Sequence, residues 1–244
     1  MSPTLTIARR ELRSYFDSPL AYVVICLSLL MLGLGVFAWP GRFWQVDRAT
    51  LGSMFEVIPL GLVVLIVPVV TMRLLAEEKR SGTLEMLITL PVRDSDVILG
   101  KFVGALGLVL VLLVATMLYP ILMFKSVWHL GPLDFGPVFS GYTGLVLFGA
   151  AAVSVGLLIS SLTDSQVIAF FVTFIVLGTL YMLGDIGALV PNVLGDVLRE
   201  LSFKEHYSSF ERGLIDTRDV IFFLSVTLLA LILAFRALES RKWT

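Results

Sequence analysis

A chain of 244 residues that is 57% apolar, 15% charged and nearly neutral at −1, with a mean hydropathy of +0.95, is not a soluble globular domain, because such domains carry roughly 25% charged residues. It holds no Lys/Arg run long enough for a polybasic arm, so no nucleic-acid partner is expected. Its one cysteine, Cys26, excludes an intrachain disulfide and a cysteine-based metal site, and reads as a small buried hydrophobe.

The pattern begins with residues 3–17, where Leu5, Ala8, Leu12, Tyr15 and Phe16 share one helical face and Arg9, Arg10 and Arg13 cluster beside it. This predicts an amphipathic helix lying in the membrane interface. Pro19 marks its end, since proline disfavours helical geometry in the preceding residue. Runs of about 20 apolar residues, the length that crosses a bilayer as a helix, follow near 20–39, 57–76, 102–124, 138–160, 166–184 and 220–238. The first has full span length and no signal-peptide cleavage pattern, and is expected to be retained. Six spans put both termini on one side, and that side holds eleven Lys/Arg against seven. The excess predicts cytoplasmic termini in a bacterial inner membrane.

Span two carries Pro59 and Pro68, and Pro68 is expected to loosen or kink it. The 73–101 loop then concentrates ten ionisable residues between two apolar runs. In it Leu84, Leu87 and Ile88 define a short amphipathic helix over 83–90, bounded by Gly82 and Pro91. Glu77 is spaced to pair with Arg73 and Arg80 along a helical extension of span two. Gly100 and Gly104 in span three, and Gly141, Gly144 and Gly149 in span four, suit close helix packing. The outer segment 185–219 holds eleven charged residues, and 188–201 and 203–214 are apolar enough for short helices against the outer leaflet. Pro191, Asn192 and Gly195 should interrupt the first of them.

Several chemistries lack their residues. None of the six runs has an ionisable group at its centre, which disfavours an ion-coupled carrier. No phosphate-binding loop occurs, the only Gly-Lys pair being Gly100 and Lys101 at the start of span three. His129 and His206 lie in separate loops and make a poor metal site. Met117, Met123 and Met182 read as packing residues.

Met72-Arg73, Glu77-Glu78-Lys79, Gly82-Thr83-Leu84-Glu85, Thr89-x-Pro91-Val92 and Leu99-Gly100-Lys101-Phe102 together resemble the signature of ABC-2-type transporter permeases. The opening Ala8-Arg9-Arg10-Glu11-Leu12, the Ser18-Pro19-Leu20-Ala21-Tyr22 run and the stretch Arg212-Gly213-Leu214-Ile215-Asp216 resemble the gliding-motility-type branch. The resemblance implies an all-α, six-span fold like that of type V ABC exporters, with an interfacial helix in front and short outer helices between spans five and six. It also implies a second permease subunit, identical or related, and a separate cytoplasmic ABC ATPase that binds ATP and magnesium, leaving this chain without a cofactor or catalytic residue of its own. Membrane lipids and an extracytoplasmic accessory protein are further expected partners. Carried over by residue, Glu77, Glu78, Gly82, Thr83, Leu84, Glu85 and Leu87 would form the ATPase-coupling region, with Arg9, Arg10 and Glu11 contributing contacts from the interfacial helix. The expected activity is outward movement of a lipidic or amphiphilic substrate. The alternative is an ATP-driven mechanical module that passes motion to an envelope partner and transports nothing.

Overall fold

A backbone in hydrocarbon has no water to bond, so an apolar segment crosses it as a helix that satisfies its own N–H and C=O groups. The computed structural model describes residues 2–38, 51–82, 93–124 and 135–240, and those residues build helices with no strand among them. Helix α1 (Pro3–Asp17) precedes span one, formed by α2 (Pro19–Gly33) and a π-helical continuation over Leu34–Ala38. Span two is segmented into α3 (Gly52–Gly61), a π-helical stretch over Leu62–Ile66, α4 (Val67–Thr71) and, beyond a turn, α5 (Ala76–Arg80). Span three combines α6 (Asp94–Thr116) and α7 (Leu118–Phe124); α8 (Phe135–Leu162) is span four and α9 (Gln166–Leu189) span five. Two short helices, α10 (Val193–Glu200) and α11 (Phe203–Glu211), lead to α12 (Thr217–Ser240), the sixth span.

The loosening expected at Pro68 takes the form of the π-helical stretch before it, where the Val67 N–H reaches back five residues to Leu62 O. Proline supplies no N–H to its own turn, so the neighbouring backbone bonds shift register instead of breaking outright.

Span four is the centre of the bundle: 72% of its apolar window is buried within the chain, against 22% in spans one and six and 28% in span five. Its small residues explain why. A Cβ at Gly144 would lie 2.6 Å from Phe210 Cβ, one at Gly141 would lie 2.8 Å from the Phe55 ring, and one at Gly156 would lie 2.8 Å from Thr71 Cβ. Neighbouring elements approach span four where it has no side chain to hold them off. Gly144→Leu is accordingly expected to cost about 1–3 kcal/mol through overpacking, read as a lower melting temperature of the detergent-solubilised protein. Cys26, expected to be buried, is instead on the exposed face of span one.

The two short helices between spans five and six, expected against a leaflet, are set more deeply than that contact requires. Ser202 accepts a hydrogen bond from the Glu205 N–H to start α11, and Ser140 Oγ donates to Phe210 O at 2.7 Å near its end. Phe203, His206, Tyr207 and Phe210 recur every three or four residues and are all buried, so α11 points one full face into the bundle. Phe148 of span four receives it, with ring centroids 5.5 Å from Phe203 and 6.0 Å from Tyr207, and also lies 5.9 Å from Phe223 of α12. Only α10 keeps its apolar face outward, with Val193, Leu194 and Val197 exposed. The interruption expected at Pro191 and Asn192 is present, and Asn192 has a positive φ of 84°.

Candidate functional site

The face carrying the two termini gathers a charged node from three elements. Helix α1 lies along the start of α6 because the glycines of α6 leave room for it. A Cβ at Gly100 would sit 2.7 Å from Ile7 Cβ, and one at Gly104 would sit 2.6 Å from Glu11 Cβ. The buried face of α1 is centred on Ala8 and Tyr15, and Leu5, expected on that face, is 52% exposed. The difference has a packing cause: α1, expected to lie in the membrane interface, instead meets a glycine groove on α6 that admits Ile7 and the Glu11 stem.

Within that groove the Lys101 side chain is 1% exposed, and its Nζ donates to Glu11 Oε1 at 3.0 Å and to Glu78 Oε1 at 2.7 Å. Arg10 adds its guanidinium at 3.3 Å from Glu11 and 3.8 Å from Glu78. Two carboxylates and two cations thus tie α1, α5 and α6 together. Thr4 Oγ1 donates to Asp96 Oδ1 at 2.7 Å, about two turns of α1 away along the same α1–α6 seam. Removing an ammonium from water costs several kcal/mol unless charged partners surround it, so the node holds as a unit.

The end of span two is fastened from its other side as well. The helix opens into a turn over 72–75, where Leu74 N–H bonds Thr71 O in place of Val70 O. Tyr15 Oη donates to the released Val70 carbonyl at 2.9 Å; burial pushes its phenol pKa well up, keeping the proton on this donor. Ser160 Oγ accepts the Leu75 and Ala76 N–H groups at 3.1 and 3.2 Å. Lys79, 2% exposed, donates to Ser161 O and lies 3.8 Å from Asp164 in the connection between spans four and five.

Of the residues singled out from the sequence, Arg10, Glu11 and Glu78 meet in the node, whereas Arg9 and Glu77 are exposed. The Glu77 ladder does not form among the described residues: the 72–75 turn takes Arg73 off the helical spacing its pairing needs, and no ion pair joins Glu77 to Arg80 within α5. Gly82 closes α5 in a left-handed conformation, φ 71°, with its N–H on Lys79 O at 3.3 Å. Thr83, Leu84, Glu85 and Leu87, with the helix expected over 83–90, lie outside the described residues, as does His129. Sequence reasoning missed the central role of Lys101. Its signal was a lysine between two glycines at the entry of an apolar helix, facing acids 90 and 23 positions away.

A bundle of six apolar helices, long enough to cross a membrane and with ion pairs at both ends, defines a multi-pass α-helical membrane protein. The chain belongs to the ABC-2 family of transporter proteins, whose sequence profile matches residues 46–204. It is 31% identical over 127 residues to the probable multidrug ABC transporter permease YbhR of Escherichia coli strain K12, and equally to the protein of that name in strain O157:H7. The match covers 52% of this chain and 33% of each relative, so the chain spans about a third of the curated relatives it matches.

Proposed function

We propose that this chain is the membrane-spanning permease subunit of an ATP-driven ABC transporter in a bacterial inner membrane, with both termini in the cytoplasm. A separate ATPase binds ATP and magnesium and docks against α1, α5 and the 83–92 connection, and a second permease subunit completes the complex. The observation that carries this reading is the Glu11–Lys101–Glu78 node. It joins the elements nearest the proposed docking face to the ends of spans two and three, so a push there moves whole spans and not a loose loop. An amphiphilic substrate suits the apolar surfaces of spans two and five, and agrees with the multidrug name of the relatives.

The test is to reconstitute the chain with its ATPase in proteoliposomes and follow ATP-dependent movement of a fluorescent amphiphile. Movement by the chain without any ATPase would overturn the reading in favour of a carrier. Gly82→Pro provides a local check, since proline holds φ near −65° and has no N–H to donate. The expected outcome is normal membrane insertion with ATPase stimulation reduced to the level of the ATPase alone.

A second reading, a mechanical module, is favoured by the outer helices. The aromatic packing of α11 on span four makes them a rigid handle, and α10 presents Val193, Leu194 and Val197 outward. ATP turnover without movement of any amphiphile, together with loss of an envelope partner in Val197→Glu, would decide for it.

A further inference from the structure

A cleft of about 310 Å³ lies on the outside of the bundle between spans one and two, near the termini-bearing face. Val23 and Leu27 of span one and Leu65 and Val69 of span two form its walls, and Ser18 and Arg73 stand at its polar end. Ser18 and Leu27 are nine residues apart, about 14 Å of helix at 1.5 Å per residue. The cleft is therefore long, narrow and apolar except at one end.

That end is what gives it chemistry. Arg73 is exposed and has no hydrogen bond or ion pair among the described residues. The turn that separates α4 from α5 puts it outside the charged node, where Lys101 and Arg10 take the Glu11 and Glu78 carboxylates, and the exposed Glu77 makes no ion pair with it. The nearby Asp17 carboxylate is within 3.8 Å of Arg13, and Ser18 Oγ is used on Tyr15 O. A guanidinium at the end of an apolar trough, in no ion pair with a protein acid among the described residues, complements an anionic headgroup, whose phosphate oxygens accept its planar fork in pairs.

We propose that this cleft is a binding site for an anionic membrane phospholipid: one acyl chain lies along Val23, Leu27, Leu65 and Val69, and the phosphate is held by Arg73. The site is separate from the charged node, and its occupancy is measurable without an ATPase. A bound lipid would wedge span one against the segmented part of span two, the part with the fewest regular backbone bonds.

The experiment uses the full chain in nanodiscs containing a diazirine-tagged phosphatidylglycerol or the matched phosphatidylcholine, with labelled peptides mapped by mass spectrometry. The expected result is labelling within 18–27 and 65–73 that favours the anionic probe by about fivefold, the preference one basic residue gives at an anionic surface. Arg73→Gln should abolish that preference while leaving zwitterionic labelling, and Val69→Trp should lower labelling by both probes by filling the trough. Equal labelling by the two probes in the unaltered chain, or a preference that survives Arg73→Gln, would overturn the site. So would disulfide formation between two copies of a Val23→Cys, Cys26→Ala variant, which would make the cleft a protein interface. Failure here leaves the proteoliposome assay as the independent arbiter of transport.

Discussion

Replacing Lys101 by Met is expected to lower stability by about 3 kcal/mol and, in a chain of this size, the melting temperature by about 6–12 °C. The methionine keeps the stem's volume in the α6 groove, so the loss measures charge and not a cavity. Without the ammonium, Glu11 and Glu78 face each other across a site where each is less than a fifth exposed. The cost sits at the low end for a broken buried pair because both carboxylates keep some water and Arg10 stays 3.8 Å from Glu78. The triple variant Lys101→Met, Glu11→Gln, Glu78→Gln removes all three charges and should regain most of the lost stability. If the node transmits the motion of a docked ATPase, that restored protein still fails to stimulate ATP turnover; full stimulation in it would assign the node to stability alone. Melting in detergent and ATPase rate in proteoliposomes are the two readouts, and their separation is the informative outcome.

The second large effect is expected on the opposite face. His206 is 7% exposed and stacks on Phe222 with centroids 3.8 Å apart. Its Nε2 is 2.9 Å from Glu200 O and its Nδ1 2.7 Å from Asp219 Oδ1. A carbonyl only accepts, so Nε2 is the donor there, and Nδ1 is within hydrogen-bond distance of the Asp219 carboxyl. This pair connects α11 to the start of span six, and Asp219 Oδ2 already has no partner. His206→Phe keeps the stack but strips Asp219 of its remaining bond at a site 6% exposed. The expected loss is about 1–3 kcal/mol, the scale for a buried polar group left without its partner. His206→Phe with Asp219→Leu should be markedly more stable than His206→Phe alone, because nothing polar is then left unpaired. Equal melting temperatures for the single and double variants would show that Asp219 reaches water in the intact protein.

Much of the architecture could be read from periodicity and length, as the apolar runs show: a bilayer imposes the same helical solution on any segment of that length and polarity. Pro68 announced an irregular span two, and Gly100, Gly104 and Gly144 announced close packing, because both effects are local to the backbone. The partners of those residues were not legible. Gly104 receives Glu11 from a helix expected to lie flat in the interface, and Gly144 receives Phe210 from a segment expected at the leaflet surface.

The site divides in the same way. Arg10, Glu11 and Glu78 stood out as charges in a sequence with few, and three of them meet. The regular spacing of Glu77 suggested a ladder with Arg73 and Arg80; the turn over 72–75 takes Arg73 out of it, and Arg80 makes no ion pair with Glu77. What this sequence determined by itself is its solvent, its helical class and where charge is scarce, since these follow from composition and from contacts within a few turns. Only the tertiary structure decided that Lys101 is the buried centre of the node and that His206 faces Asp219. Whether a charge is solvated or paired depends on groups far apart in the chain, and no spacing along one helix encodes that meeting.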